Sequence, residues 1–312
     1  MNEKEQNASD ISDLQAKAEE YDRRRERLLS RRKKQRNRRV KLFSTAAFFC
    51  MSIFLFKAAV SWDFPGESEP PEASVVEAAA KVTEEPEEEK EEDPRESETW
   101  KKIFANPSLY PADLLKDLER NPEMLEFVAA YPTTEAKATG GFSQKEKKEE
   151  NPLFLQWDSR WGYAPYGSSN IAVSGCGPTS LSMVLFSLTR DETLTPNMLA
   201  DRAMKEGYYV SGAGTSWLFM VDMAAQYGVT VNQMESIDQQ NLERVLKDGS
   251  LVICAMGPGD FTDAGHFIVL RGVSEEGILI NDSFSIANSE KAWAYSTLAS
   301  QIRQVWVYTK IK

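Results

Sequence analysis

The chain has 312 residues, of which 41% are hydrophobic and 27% are charged, and its formal net charge at pH 7 is -11. This length allows about two average domains, but the charge is too unevenly distributed for the whole chain to be globular. The chain has three cysteines and one histidine, without a CxxC pair or paired histidines. This pattern contains no convincing metal site, and we expect neither a metal nor a cofactor.

The start of the chain predicts a membrane anchor. Residues 1–41 carry fourteen basic and eight acidic side chains, and residues 42–56 then run for fifteen positions without a charge. Apolar character continues past Lys57 to Trp62, so the segment approaches the ~20 residues of a membrane-spanning helix. We predict an uncleaved transmembrane signal anchor at 42–62, with the basic tail in the cytoplasm and the rest of the chain extracellular.

Two other interpretations of this region have less support. A cleaved signal peptide also contains an apolar stretch of this length, but the preceding 41 residues are a long leading segment and the residues after Lys57 form a poor cleavage site. A dense basic cluster can also bind nucleic acid. Its position directly against the apolar run favours the topological role, and we expect no nucleic-acid partner.

Three segments separate the anchor from the C-terminal domain. Residues 63–99 hold fifteen acidic and three basic side chains, and this composition predicts an extended, disordered tether. Apolar spacing resumes at 100–133, where two short helices are expected on either side of Asn121-Pro122. We expect this helical lead-in to dock on the following domain, because helices so short are marginal alone. Residues 134–150 are interpreted as a further linker.

Residues 151–312 are expected to form a single α+β domain. A helix that begins near Cys176 comes first. Further helices are predicted at 196–206, 216–227 and 238–247, followed by strands at 251–256, 266–271, 277–282 and 304–309. Helices that precede an antiparallel sheet are typical of an α+β fold.

Cys176 has the surroundings of a nucleophile. It lies between Gly175 and Gly177, and Pro178 follows in a position that proline favours, the first turn of a helix. Unpaired N–H groups and the positive end of the helix dipole favour the thiolate there, and the thiolate is the reactive form. A small buried cysteine at a tight turn is the alternative, but the flanking residues favour a nucleophile.

His266 is the single histidine of the chain and therefore the candidate base for that thiol. It follows a glycine-rich turn and opens an apolar strand, so we expect it at the rim of the sheet. An imidazole base needs an acceptor that orients it, and Asp282, at the end of the next strand, can lie beside it. Asn281 is the alternative, although alternation along the strand points the two side chains to opposite faces. A plain turn at 281–283 is a third interpretation.

The other cysteines leave Cys176 as the reactive candidate. Cys50 falls within the predicted anchor, and Cys254 lies in the middle of an apolar strand, where an inert core residue is expected. A disulfide between Cys176 and Cys254 is the main rival interpretation. Acyl transfer also needs donors for an oxyanion, for which we expect the N–H of Cys176 and the side-chain amide of Gln156.

Five motifs occur in a specific order, namely Gln156-Trp-Asp158, Trp161-Gly162, Ser174-Gly-Cys-Gly-Pro-Thr-Ser180, Gly265-His-Phe-Ile-Val-Leu270 and Asn281-Asp282. Together they resemble the C39-like cysteine peptidases of bacteria, papain-like relatives of the peptidases that remove double-glycine leaders from bacteriocins. The resemblance implies a papain-like fold in which an N-terminal nucleophile helix packs on an antiparallel sheet. It also implies the roles of nucleophile for Cys176, general base for His266, orienting acid for Asp282 and oxyanion donor for Gln156. One departure is Ser283, where members of that family tend to have proline.

These observations predict a membrane-anchored extracellular cysteine peptidase that hydrolyses peptide bonds through a thioester intermediate. Its substrate would be a peptide or a protein associated with the cell wall, and its N-terminal helix would be its contact with the membrane. An amidase or amide transferase that uses the same three residues is one alternative. A catalytically silent binding module on the cell surface is another.

Overall fold

The computed structural model of the protein describes residues 93–311. The predicted basic tail at 1–41, the predicted anchor at 42–62 and nearly all of the predicted tether lie outside this range, as does Lys312. Within residues 93–311 no helix has both the length and the apolar character that crossing a membrane requires.

The described residues form an α+β structure, as the sequence pattern predicts. Ten α-helices occur in this range: α1 (Glu98–Ala105), α2 (Ala112–Arg120), α3 (Leu125–Ala130), α4 (Ile171–Ser174), α5 (Cys176–Thr189), α6 (Pro196–Lys205), α7 (Trp217–Gln226), α8 (Gln239–Lys247), α9 (Ile286–Glu290) and α10 (Tyr295–Ala299). The same range contains ten strands: β1 (Pro165–Tyr166), β2 (Ser169–Asn170), β3 (Tyr209–Val210), β4 (Gly214–Thr215), β5 (Val229–Met234), β6 (Leu251–Met256), β7 (His266–Ser274), β8 (Gly277–Asp282), β9 (Ala292–Trp293) and β10 (Ile302–Lys310).

Six strands form one antiparallel sheet in the order β5-β10-β6-β7-β8-β9. Every residue of β6 is buried, because apolar side chains from helices cover both faces of the sheet. The residues of β6 alternate between two apolar clusters, with Leu251, Ile253 and Ala255 on the side of α5 and Val252, Cys254 and Met256 on the side of α8. A strand covered on both faces has a continuous apolar sequence instead of an alternating one.

Helix α5, the predicted nucleophile helix, packs on this sheet. Its residues from Gly177 to Phe186 are all buried, as expected for a helix inside a domain. The hydroxyl of Ser180 donates a hydrogen bond of 3.2 Å to the carbonyl of Phe267 in β7. This contact ties the first half of α5 to the beginning of β7, the strand that His266 opens.

The lead-in comprises α1, α2 and α3 and shares an apolar cluster with the C-terminal domain. Pro122 follows the end of α2 and starts a single 3-10 turn, because proline cannot continue an α-helix. In α3, the ring of Phe127 stacks on the ring of Tyr163, with centroids 4.1 Å apart. The hydroxyl of Tyr163 also donates a hydrogen bond of 2.8 Å to the carbonyl of Phe127. The lead-in is therefore packed as part of the folded unit.

Residues 134–150, interpreted from the sequence as a linker, are packed against the domain instead. Phe142 is 7% exposed, and its ring stacks on Phe154 with centroids 4.5 Å apart. The guanidinium of Arg160 pairs with Glu146 at 2.6 Å. The many lysines and glutamates of this segment suggested a linker, but the ring of Phe142, ion pairs and hydrogen bonds attach it to the domain.

Candidate active site

Cys176 is the first residue of α5 and follows Gly175, which caps the helix without a side-chain hydrogen bond. The first N–H groups of an α-helix have no acceptor within the helix, so the thiol lies beside such donors and at the positive end of the helix dipole. A Cβ atom at Gly177 would lie 2.6 Å from Oγ1 of Thr215. The close approach of Thr215 therefore requires glycine directly after the cysteine.

His266 and Asp282 face each other on neighbouring strands. Strands β7 and β8 pair with Asp282 opposite Ile268, and side chains two residues apart along a strand share a face. Nε2 of His266 lies 2.7 Å from Oδ1 of Asp282. The histidine is 8% exposed and the aspartate 0%, so this hydrogen bond is shielded from water and charge-assisted.

The same imidazole donates a hydrogen bond to the sulfur of Cys176. Because Nε2 faces Asp282, Nδ1 is the nitrogen left for the sulfur. Burial acts to lower the pKa of His266, but the charge and hydrogen bond of Asp282, together with those of Cys176, raise it to about 10. Burial acts to raise the pKa of Asp282, but the charge and hydrogen bonds of its partners hold it below its ordinary value. The imidazole therefore carries both protons at neutral pH.

The structure brings Asp282, and not Asn281, to the imidazole. Oδ1 of Asp282 also accepts the N–H of Phe284 at 2.9 Å, and Oδ2 accepts Nδ2 of Asn288 at 2.9 Å. The side chain of Asn281 is used elsewhere, since its amide group donates to the carbonyl of Pro152 at 3.0 Å. The alternation of side chains along β8 accounts for this difference.

Gln156 connects the two halves of the site and is 3% exposed. Its Nε2 donates a hydrogen bond of 2.6 Å to the carbonyl of Ala172 in α4, the short helix before Cys176. Its Oε1 accepts a hydrogen bond of 3.0 Å from the hydroxyl of Ser283, the residue after Asp282. A side-chain amide has two N–H donors, and Ala172 accepts one of them.

A model of the Peptidase C39 like family matches residues 148–311, which is more than half of the chain. The chain belongs to the C39-like peptidase family. This result confirms the resemblance that the five sequence motifs carry. The matched residues include Cys176, His266, Asp282 and Gln156. No curated protein matches the chain.

Several solved structures are similar to this C39-like peptidase chain. The peptidase domain of Streptococcus ComA, a bifunctional ABC transporter involved in a quorum-sensing pathway, is 15% identical over 52% of this chain and 99% of that one, with a TM-score of 0.36. A Bacillus anthracis protein described as a C39-like peptidase is 18% identical over 52% of this chain and 96% of its own, with a TM-score of 0.33. A double-glycine motif protease from an AMS/PCAT transporter, solved with its leader peptide, is 18% identical over 51% and 91%, with a TM-score of 0.32.

Ser283 stands where the resemblance to C39-like peptidases predicts proline. Its hydroxyl forms a hydrogen bond that proline, which has no hydroxyl, could not form. It donates to Oε1 of Gln156, while its own carbonyl accepts the backbone N–H of Gln156 at 2.8 Å. The carbonyl of Ala172, which can only accept, sets which end of the amide faces α4, and the Ser283 hydroxyl gives the oxygen at the other end a donor. Serine at position 283 thus adds a second hydrogen bond between the segment after Asp282 and Gln156.

Replacing Ser283 by alanine is expected to lower kcat about tenfold, less than the 100- to 1,000-fold loss typical when an oxyanion donor is removed outright. Without the hydroxyl, Oε1 of Gln156 loses its donor, and the contact with Ala172 is the remaining hydrogen bond that holds the amide in place. Steady-state kinetics on a peptide substrate measure the effect, with Ser300→Ala at an exposed position as the control. An unchanged kcat in Ser283→Ala, alongside a large loss in Gln156→Ala, would contradict this role.

Two short ribbons of this C39-like domain lie beside the thiol. The hydroxyl of Tyr166 in β1 is 2.7 Å from Oγ1 of Thr215 in β4, and the rings of Tyr166 and Tyr209 meet edge to face at 5.2 Å. Burial raises the pKa of Tyr166, the hydrogen bond with Thr215 opposes this, and the charge of Cys176 adds to the rise. Tyr166 could not be predicted as a neighbour of the thiol, because strands of two residues show no periodicity.

Asp117 in α2 is a further titratable group near the site that the sequence pattern did not indicate. Burial raises the pKa of Asp117 to about 7, the charge of Arg120 opposes this rise, and the charge of His266 also acts to lower it. An acidic residue on an amphipathic helix usually lies on its solvated face. Only the docking of α2 on the domain gives Asp117 a place in the electrostatics of the site.

The structure excludes the disulfide that rivals the nucleophile interpretation, because Cys176 and Cys254 are both free thiols. Cys254 is 0% exposed, and burial raises the pKa of its thiol well above the ordinary range. It is therefore inert in the folded chain. In the part of the chain that the structure describes, no three His, Cys, Asp or Glu side chains are arranged to hold a metal ion.

Proposed function

We propose that the protein is a membrane-anchored extracellular cysteine peptidase that hydrolyses peptide bonds through Cys176, His266 and Asp282. The observation that carries this proposal is the position of the chain's single histidine. Its Nε2 lies 2.7 Å from Oδ1 of Asp282, and the same ring donates a hydrogen bond to the sulfur of Cys176. A nucleophile, a titratable base and an acceptor that orients the base are the three parts that covalent acyl transfer needs. Membership of a peptidase family adds support.

In the first half-reaction Cys176 acts as a thiolate beside the doubly protonated imidazole of His266, and its sulfur attacks the carbonyl carbon of the scissile peptide bond. A C–S bond forms, and the carbonyl oxygen becomes an oxyanion that the N–H of Cys176 and the side-chain amide of Gln156 stabilise. As the oxyanion collapses, the C–N bond breaks. The proton on Nδ1 of His266 passes to the leaving nitrogen, which departs as an amine. The acyl group remains on Cys176 as a thioester.

In the second half-reaction a water molecule attacks the thioester carbon. Neutral His266 takes a proton from this water, and Asp282 stabilises the imidazolium that results. Collapse of the second tetrahedral intermediate breaks the C–S bond and releases a carboxylic acid. The thiolate of Cys176 and the doubly protonated imidazole of His266 are then restored, so the cycle needs no other reactant than water.

The location of the activity is part of the proposal. The apolar segment at 42–62 and the basic residues before it support a cytoplasmic N-terminus and an extracellular catalytic domain. The acidic segment that follows supports an extended tether. A domain placed there would act on a peptide or a protein associated with the cell wall.

Alkylation of the native chain tests the nucleophile with a control inside the same molecule. Iodoacetamide is expected to modify Cys176 much faster than Cys254, because the first lies at a helix N-terminus and the second is fully buried with a raised pKa. Digestion and mass spectrometry assign each adduct to its cysteine. Equal rates at the two cysteines, or modification only after unfolding, would count against a reactive Cys176.

Cleavage of a synthetic peptide library tests the reaction type. Hydrolysis in water enriched in oxygen-18 places one heavy oxygen in each newly formed carboxyl group, because water attacks the thioester. Hydrolysis is the expected result. Transfer of the acyl group to an added amine, without incorporation of oxygen-18, would replace the peptidase with an amide transferase. If neither product forms while Cys176 is alkylated normally, peptide hydrolysis is not the function.

A further inference from the structure

The lead-in contacts both loops that flank the histidine and the aspartate. The guanidinium of Arg120, at the end of α2, donates a hydrogen bond to the carbonyl of Phe261, which lies in the loop before His266. The same guanidinium lies over the ring of Phe284, with Cζ 5.0 Å from the ring centroid. Phe284 follows Asp282 closely. Arg120 therefore contacts both the loop before His266 and the segment after Asp282.

Two further lead-in residues hold the backbone after Asp282. The amide group of Asn121 donates to the carbonyl of Phe284. The carboxylate of Glu123 accepts two backbone N–H groups at the start of α9, from Ile286 at 2.7 Å and from Ala287 at 2.8 Å. A carboxylate is the favoured partner for such N–H groups, which a helix leaves unsatisfied. Glu123 thus anchors α9 from another part of the chain.

Helix α9 in turn holds Asp282. Nδ2 of Asn288 donates to Oδ2 of the carboxylate at 2.9 Å, and the hydroxyl of Ser289 accepts the backbone N–H of Asp282 at 2.8 Å. The N–H of Phe284 donates to Oδ1, the oxygen that also faces His266. The carboxylate is therefore oriented by the same segment, 284–289, that Asn121 and Glu123 hold.

Apolar packing joins the two regions as well. Phe284 is 7% exposed and belongs to the cluster that contains Leu114, Leu118, Met124, Leu125, Phe127 and Val128 of the lead-in. Its ring also meets the imidazole of His266 edge to face, with centroids 6.3 Å apart. Removal of the lead-in would leave this ring and the Glu123 partners without their contacts.

We infer that the lead-in is part of the catalytic apparatus, and that Glu123 is a positioning residue that orients Asp282 through α9. This inference rests on the proposed Cys-His-Asp chemistry. Glu123 bonds the backbone of α9, Asn288 of that helix bonds the carboxylate, and the carboxylate bonds Nε2 of His266. A displacement of α9 therefore reaches the imidazole through two hydrogen bonds.

Replacing Glu123 by alanine in the full chain tests the inference. We expect kcat for peptide hydrolysis to fall about 10- to 100-fold with KM little changed, because the reacting groups are misplaced while substrate contacts stay. We also expect the basic limb of the pH profile to move to lower pH, because Asp282 supports the imidazolium less well. The kcat of Glu123→Gln, which keeps one acceptor oxygen, should lie between those of the wild type and Glu123→Ala. Glu126→Ala, at an exposed position in α3, is the matched control.

The pH profile separates positioning from support of the fold. If Glu123→Ala lowers the melting temperature but the folded enzyme keeps the wild-type pH profile and kcat, the inference is wrong. The rate of alkylation of Cys176 by iodoacetamide, measured against pH, gives a second readout that needs no substrate. If the wild-type chain cleaves no peptide, the proposed function fails, but a shift of this alkylation profile in Glu123→Ala would still support the positioning role, and an unshifted profile would refute it.

Discussion

Replacing Cys176 by alanine should reduce peptide hydrolysis to the uncatalysed background, a loss of roughly 10,000-fold or more. The proposed reaction depends on a covalent bond to sulfur, and the other described thiol, Cys254, is fully buried with its pKa raised by burial. His266 and Asp282 would remain as a pair without a nucleophile. Steady-state kinetics at high enzyme concentration measure the residual rate, and thermal unfolding shows that the variant is folded.

Cys254→Ala is the matched control, because it makes the same chemical change in the centre of the sheet. It should keep the wild-type kcat/KM and lose stability on the order of 1 kcal/mol, since it removes a buried side-chain atom. Loss of activity in Cys254→Ala with activity retained in Cys176→Ala would exclude Cys176 as the nucleophile. In cells, full restoration of a deletion phenotype by Cys176→Ala would favour the silent binding module over the peptidase.

Two strands of the large sheet could be predicted from the sequence to the residue, whereas β7 and β10 extend beyond the predicted 266–271 and 304–309. The predicted strands at 251–256 and 277–282 match β6 (Leu251–Met256) and β8 (Gly277–Asp282). Both contain runs of aliphatic residues bounded by glycine, serine or aspartate, so the burial of each strand is visible in its own sequence. The α+β class follows from the same change of periodicity.

The edges of the fold could not be predicted in this way. Strand β5 (Val229–Met234) is exposed or half-buried after its first residue, and it is a strand because its backbone pairs with β10. The ribbons β1-β2 and β3-β4 are two residues long in each strand, so they contain no period to detect. Their existence depends on neighbours distant in sequence.

The same distinction applies to the candidate site. Cys176 and His266 could be singled out because their chemistry and local surroundings are unusual, and Asp282 because strand alternation places it. The residues that support them carry no local signal. Ser283 contacts Gln156 across 127 sequence positions, and Glu123 reaches Ile286 across 163. A hydroxyl or a carboxylate is common on a protein surface, and only the tertiary contact gives it a role.

Replacing Asp282 by alanine should lower kcat/KM roughly 1,000-fold or more although the nucleophile is intact. The variant removes the acceptor that orients Nε2 of His266, and burial then acts with less opposition to lower the pKa of the imidazole. Both effects deprive the leaving nitrogen of its proton donor. Kinetics on the same peptide used for Cys176→Ala allow a direct comparison, and the loss should appear mainly in kcat.

Asp282→Asn separates the charge of this side chain from its hydrogen bond. Asparagine keeps an oxygen that can accept from His266 but has no negative charge, so its activity should lie between those of the alanine variant and the wild type. Wild-type kinetics in Asp282→Asn at every pH would show that the charge has no part in the reaction. Equal losses in both variants would show that the charge accounts for the whole effect.

The pH dependence gives the sign of the charge effect. Since Asp282 and Cys176 raise the pKa of His266 to about 10, wild-type activity should fall only as the pH approaches that value, and the basic limb of Asp282→Asn should lie at lower pH. An unfolded histidine has a pKa of about 6.5. The contribution of His266 to the free energy of unfolding is therefore complete below about pH 6.5 and declines as the pH rises toward 10. In Asp282→Asn this decline with pH should be lost.

Asp117→Asn is the control for the pH profile of activity, because burial raises the pKa of Asp117 to about 7. A change of activity near pH 7 that disappears in Asp117→Asn is due to Asp117. A change that persists in this variant is due to His266 and Asp282.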